Sequence, residues 1–165
     1  MANHLIVVVN RVKARFFTLE PINYPKNASS PKIVEILSLL NPEGMLQPKE
    51  LYTDPKPGRG SAPTGGSVHG YQDKRENHME EIRRRFAVKI SARIHSLTKA
   101  NNYGTVIVAP SAKMRRFLYP HLDILALKGI AVYKVPKNMI NFSPTKIHNL
   151  LANYGLAPKQ KRQLA

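Results

Sequence analysis

Basic side chains are the residues of this sequence best suited to chemistry, and many of them fall into three short clusters. Lysine and arginine number 26 against 10 acidic residues, so the formal net charge is +16. The clusters consist of Arg11, Lys13 and Arg15, then Arg83, Arg84 and Arg85, and finally Lys113, Arg115 and Arg116. Guanidinium and ammonium groups bind phosphates and carboxylates through charge-assisted hydrogen bonds. Such an excess predicts a polyanionic partner, such as RNA, DNA or a membrane surface.

The positive charge is concentrated toward the C-terminal part of the chain. Residues 1–53 carry a net charge of +2, residues 54–100 carry +5 and residues 101–165 carry +9. No acidic residue adjoins the third cluster, which favours anion binding there.

The first two clusters have to be judged by the elements that carry them. The members of the first cluster alternate along a predicted strand and so share one face of a sheet. We expect that face to stay uncovered by a helix unless an anionic group lies on it. In the second cluster Arg84 and Arg85 follow Glu80 and Glu81 at the four-residue spacing of helical ion pairs. That cluster is therefore either a phosphate contact or a solvated, neutralised helix face.

Catalytic chemistry has little support in the sequence. There is no cysteine, which excludes a thiol nucleophile, a disulfide and cysteine-ligated zinc. The six histidines are scattered and show no metal-ligand spacing, and no phosphate-binding glycine motif is present. We therefore expect no metal and no cofactor.

Apolar periodicity predicts eight elements. Strands are predicted at residues 5–9, 11–19, 32–40, 105–109 and 130–135. The first helix follows the third strand and runs from a capping pair at residues 73 and 76 to about residue 99. The second helix, after Ser111, is broken or kinked by Pro120, and the third begins at Ser143 and Pro144. Residues 41–44 read as a turn, and residues 54–72, rich in proline and glycine, as a long flexible loop.

The order β-β-β-α-β-α-β-α predicts an α/β fold with a mixed sheet, which is the element order of the ribonuclease H-like fold. One domain over residues 1–156 accounts for nearly the whole chain, and residues 157–165 form a basic tail. Nucleases of that fold hold two cations with carboxylates, the first of them on the first strand. Here the first strand ends in Asn10, and the strand at 105–109 contains no acid. We therefore expect no nuclease activity.

Three stretches of this sequence carry a family resemblance. Residues 6–17, residues 41–44 and residues 71–78 with the helix that follows resemble the bacterial host attachment protein family. The similarity covers roughly residues 4–153. That family is regarded as a relative of the middle domain of archaeal and eukaryotic class-1 release factors. The resemblance thus implies a ribonuclease H-like topology without nuclease carboxylates, and action on the ribosome.

The release factors carry a Gly-Gly-Gln loop before their long helix, which promotes hydrolysis of peptidyl-tRNA. The matching residues here are Gly65, Gly66 and Ser67, so the long amide that helps to position water is replaced by a hydroxyl. The resemblance implies either a functional loop over residues 58–70 or a plain flexible connector.

These observations favour a non-enzymatic, cytoplasmic RNA-binding protein whose partner is ribosomal RNA or another structured RNA. The residues expected to contact phosphates are Arg11, Lys13, Arg15, Arg59, Arg84, Arg85, Lys113, Arg115 and Arg116. The sequence has no run that resembles a signal peptide or a membrane span, so we expect no membrane insertion. Two alternatives stay open: a structural or accessory subunit of a protein assembly, and residual peptidyl-tRNA hydrolysis through the Gly65–Ser67 loop.

Overall fold

A five-stranded mixed sheet forms the centre of the structure, a computed structural model that describes residues 4–20, 32–45 and 66–158. Its strands are β1 (His4–Val9), β2 (Lys13–Glu20), β3 (Lys32–Leu40), β4 (Thr105–Pro110) and β5 (Ala131–Lys134). Their order across the sheet is β3-β2-β1-β4-β5. β2 is antiparallel to both β1 and β3, whereas β4 is parallel to β1 and β5 is parallel to β4. The predicted α/β class with a mixed sheet is therefore confirmed.

Four helices accompany the sheet in the described part of the chain. They are α1 (Pro42–Met45), α2 (Gly66–Asn101), α3 (Ala112–Leu127) and α4 (Pro144–Asn153). α2 and α3 cover one face, where Phe86 and Leu118 share a core with Phe16. α4 covers the other face, where Ile147 shares a core with Phe17. Consecutive residues of β2 thus point into opposite cores, as a strand requires.

β1 is buried on both faces, as its continuous apolar run predicts. Val7 lies in the core beneath α2 and α3, whereas Val8 lies in the core beneath α4. The parallel strands β1 and β4 end side by side, with Val9 opposite Pro110. In α/β sheets the crevice beyond the carboxyl ends of such strands is a common place for ligands.

α2 begins seven residues earlier than predicted, so residues 66–72 are helical and not part of a loop. The prediction failed because Gly66 and Gly70 were read as loop signals. Each glycine costs a helix only about 1 kcal/mol relative to alanine, and adding residues to an existing helix is easier than nucleating one. The rest of the predicted loop, residues 54–65, lies outside the described residues.

The other boundaries show smaller differences. α1 occupies residues 42–45, where a turn was predicted. α3 continues through Pro120 as one helix, because Met114 and Leu125 on either side of it are buried and tertiary packing supports both halves. α4 begins as predicted, with the Ser143 hydroxyl accepting the backbone N–H of Lys146 at 3.2 Å.

Candidate nucleic-acid interface

Arginines from three parts of the chain meet at the edge of the sheet where β1 and β4 end. The backbone N–H of Ser111 donates to the carbonyl of Val9 at 2.8 Å, which ties the start of α3 to the end of β1. The turn between β1 and β2, the helix α1 and the middle of α2 adjoin this point. We name the group the basic corner, and its members are Arg11, Arg83, Arg84, Arg85 and Arg116.

The turn that carries Arg11 is fixed by the side chain of Asn10. The Asn10 Oδ1 accepts the backbone N–H groups of Val12 at 2.9 Å and of Lys13 at 2.7 Å. The Asn10 N–H donates to the carbonyl of Lys13 at 2.9 Å. An asparagine that bonds to its own backbone a few residues on is a standard way to close a tight turn. Arg11 therefore lies in the turn, and β2 begins at Lys13, not at residue 11 as predicted.

The helix α1 packs directly against the backbone of this turn. The Asn41 Nδ2 donates to the carbonyl of Arg11 at 3.0 Å, and the Asn41 N–H donates to the carbonyl of Val12 at 2.8 Å. A Cβ at Gly44 would lie 2.2 Å from the Arg11 carbonyl oxygen, so no larger residue fits without a backbone shift. Residues 41–44 thus hold the position of Arg11.

Arg84 and Arg116, from two separate sequence clusters, come together over one aromatic ring. The guanidinium carbon of Arg116 lies 4.7 Å from the centroid of Phe117, and that of Arg84 lies 5.8 Å from it. Glu80 on α2 forms an ion pair with Arg116. Together with Pro120 and His121, these residues line an open depression of about 390 Å³. The depression presents two guanidinium groups to solvent.

The predicted ion pairs within α2 are replaced by others. Arg84 pairs with Glu81 at 2.7 Å, and Arg85 pairs with Glu43 of α1 at 3.2 Å. Glu80 faces α3 instead, because a guanidinium from that helix lies within reach. All four side chains in the first two pairs are about half exposed, and exposed pairs contribute only about 0–1 kcal/mol. These arginines can therefore exchange a carboxylate for another anion at little cost.

Arg83 differs from the two arginines that follow it. It is half-buried, and its Nε is shielded from solvent with no hydrogen-bond partner in the described residues. Burial lowers the pKa of the Arg83 guanidinium, the charge of Arg11 lowers it further, Glu80 opposes this, and Arg116 again lowers it. Arg83 is not among the phosphate contacts that the sequence predicts. Its helical spacing, four residues after Met79, was the available signal.

Arg15 lies on the α4 side of the sheet and is engaged internally. Its Nε and Nη2 donate to the two carboxylate oxygens of Glu35 at 3.0 Å each, and its Nη1 donates to the carbonyls of Ile140 at 2.9 Å and Phe142 at 2.8 Å. Only 12% of the side chain is exposed. The chain before α4 covers Arg15, and Glu35 supplies the anionic group that the expectation named as the condition for covering this face.

The hydrogen bond from Arg15 is the main reason that the pKa of Glu35 lies below its usual value. Burial acts against this effect, and the charges of Arg15 and Lys13 add to it. Glu35 is therefore ionised throughout the neutral range, and the pair is a permanent part of the fold.

The remaining expected site residues are spread more widely. Lys113 and Arg115 lie on the first turns of α3, where the Arg115 Nε is 3.5 Å from the carbonyl of Pro110. Gly66 and Ser67 form the start of α2 and not a loop. Arg59 and Gly65 lie outside the described residues.

Two further features bear on the class of protein. In residues 4–20, 32–45 and 66–158, no group of three histidine or acidic side chains is placed to hold a metal ion. No helix of that part of the chain has the combined length and apolar character needed to cross a bilayer.

A family model described as "Protein required for attachment to host cells" matches residues 5–151. The chain, whose fold is α/β, therefore belongs to this family. A comparison with curated proteins gives no match. Two of the stretches that carry the resemblance, the turn after β1 and residues 41–44, are those that hold Arg11 in the basic corner.

Proposed function

We propose that this protein is a non-enzymatic RNA-binding protein that acts in the cytoplasm on the ribosome or on another translation-associated RNA. The observation that carries the proposal is the convergence of Arg11, the α2 arginines and Arg116 on one edge of the sheet. Guanidinium groups suit phosphate because their planar fork donates two parallel hydrogen bonds. A set of them on three elements fits a ligand with many phosphates better than a single small anion.

The basic corner favours recognition of the RNA backbone over stacking of bases. Phe117 is largely buried beneath Arg84 and Arg116, so its ring has little face left for a base. Structured RNA is recognised mostly by shape and by phosphate and 2′-hydroxyl contacts. Binding of this kind weakens strongly with salt, by a slope of roughly 0.7–0.9 per phosphate contact on a logarithmic plot.

The choice of a ribosomal partner rests on the resemblance to the middle domain of class-1 release factors. The sheet order β3-β2-β1-β4-β5 is compatible with the ribonuclease H-like topology that we propose for this chain. Peptidyl-tRNA hydrolysis through residues 65–67 has weaker support, because two of those residues lie in a helix.

The test is co-sedimentation of the protein with ribosomes, with and without ribonuclease and at low and high salt. We expect travel with ribosomal particles that either treatment abolishes. The double variant Arg84→Glu/Arg116→Glu should lose most of this binding. Its matched control is Lys137→Glu/Lys146→Glu, which changes two lysines near Phe142 on the α4 side.

Travel of the wild type in a complex that resists ribonuclease would instead support the alternative function, a subunit of a protein assembly. In that case the basic corner would be a docking surface for acidic protein groups. Equal loss in the control double variant would show that net charge, and not the basic corner, carries the binding.

A further inference from the structure

Arg83 is partly buried, and its guanidinium forms no ion pair within the described residues. Its shielded Nε donates to nothing in the described residues. A buried polar group without a partner is unfavourable, and a charged one more so. Most buried polar groups are paired, so an unpaired one calls for an explanation, and a bound ion is one of the recognised explanations.

The carboxylates near Arg83 are committed to other arginines. Glu81 forms an ion pair with Arg84, and Glu43 forms an ion pair with Arg85. The charge of Glu80 reaches Arg83, but its oxygen pairs with Arg116.

Within the described residues, three guanidiniums therefore share one carboxylate. Arg11, Arg83 and Arg116 contribute three positive charges, against the single negative charge of Glu80. The excess of two charges over a small, partly buried region calls for an anion.

We propose that Arg11, Arg83 and Arg116 bind one phosphate group of the RNA, with Arg83 as its principal ligand. The inference rests on the proposed function and names the anchor of that site. The phosphate would lie against the partly exposed Arg83 guanidinium, and its charge would offset the repulsion among the three guanidiniums. The group can be a phosphodiester within the strand or a terminal phosphate, and both have the same oxygens.

The backbone of Arg11 and the guanidinium of Arg116 are positioned before RNA arrives. Asn10, Asn41 and Gly44 fix the backbone of Arg11, and Phe117 supports Arg116 from below. Pre-organised donors lose less conformational freedom on binding, so they contribute more affinity than mobile surface lysines. One phosphate at this point would set the register of the RNA on the basic corner.

The experiment compares Arg83→Gln with Arg93→Gln, an exposed arginine ten residues further along the same helix. Binding is measured by fluorescence anisotropy with one RNA hairpin that carries either a 5′-hydroxyl or a 5′-phosphate, over a series of salt concentrations. We expect Arg83→Gln to lower affinity at least about tenfold and to reduce the salt slope by roughly 0.7–0.9. Its melting temperature should stay the same or rise, because an unpaired charge is removed.

The two RNA arms distinguish the source of the phosphate. If Arg83→Gln loses affinity for both hairpins, the site binds a phosphodiester of the backbone. If it loses affinity only for the hairpin with the 5′-phosphate, the site binds the terminal phosphate. Arg83→Lys keeps the positive charge but not the planar guanidinium, so it should lose less affinity for the hairpins than Arg83→Gln. It serves as the second variant if Arg83→Gln does not fold.

The inference is overturned if Arg83→Gln binds like the wild type while Arg84→Glu/Arg116→Glu is impaired; the proposed function would then stand without this anchor. If the wild-type protein ignores both hairpins and ribosomes at low salt, the proposed function fails and the anchor fails with it.

Discussion

Arg15 and Arg83 are two arginines on opposite faces of the same sheet, each partly withdrawn from solvent. Arg15 makes four hydrogen bonds, to both oxygens of Glu35 and to two backbone carbonyls. The Nε of Arg83 makes none within the described residues. The difference separates an arginine that completes the fold from one that has capacity for a ligand.

The sequence pattern suggested the opposite roles for these two residues. Arg15 alternates with Arg11 and Lys13 and was expected to contact phosphate, whereas Arg83 was not among the expected contacts. Whether a charged side chain is available to a ligand depends on its partners, and those partners come from parts of the chain far away in sequence. Glu35 is 20 residues from Arg15, and the two carbonyls are 125 and 127 residues away.

The largest effect we predict is the loss of stability in Arg15→Ala. The change leaves the Glu35 carboxylate and two carbonyls without their donor, so the free energy of unfolding should fall by about 2–3 kcal/mol. Urea denaturation followed by circular dichroism measures this. Lys134→Ala breaks the more exposed pair with Asp123 and should cost less than about 1 kcal/mol. An Arg15→Ala variant as stable as Lys134→Ala would contradict the structural role.

Gly44→Ala should have the next largest effect, and it should appear in both stability and binding. Its Cβ would lie 2.2 Å from the Arg11 carbonyl, so α1 must shift at a cost of about 1–3 kcal/mol. Displacing the Arg11 turn should also weaken RNA binding. Met45→Ala, at an exposed position on the same short helix, is the control and should change neither. Unchanged RNA affinity in a destabilised Gly44→Ala protein would show that the turn does not position a ligand.

The smallest effect that we predict is the pH dependence of the stability that the Arg15–Glu35 pair contributes. Because the pKa of Glu35 is lowered in the folded state, its contribution to stability is complete above its unfolded pKa, about 4.3. That contribution is lost as the pH falls through the folded pKa. Glu35→Gln should therefore be less stable than the wild type by about 1 kcal/mol at neutral pH, with a gap that closes in acid. A gap independent of pH would exclude the pair as its source.

The local parts of the fold were predictable from the sequence. The uninterrupted run at residues 5–9 gives a strand buried on both faces, and Ser143 before Pro144 gives a helix start, because both signals act within a few residues. The start of α2 was missed because the effect of two glycines depends on the helix that follows them. The element order gave the mixed sheet, but it did not show that α4 covers Arg15.

The candidate site was predictable only as a set of charges. The clusters at residues 83–85 and 113–116 were visible, but the sequence could not show that Arg84 and Arg116 meet over Phe117. The spacing of Glu80 and Glu81 suggested pairs within one helix, whereas carboxylate–arginine pairs also form between helices when packing brings the groups within reach. Asn10 and Asn41 were unremarked as positioning residues, because their hydrogen bonds become apparent only when the turn and α1 are seen together.

The most direct test of this account measures Arg15→Gln and Arg83→Gln side by side, each for melting temperature and for affinity to the same RNA hairpin. We predict that Arg15→Gln lowers the melting temperature and leaves the affinity of the folded protein unchanged. Arg83→Gln should lower the affinity and leave the melting temperature the same or higher. If Arg83→Gln instead loses stability and keeps its affinity, the unpaired arginine is part of the fold and the account of the basic corner is contradicted.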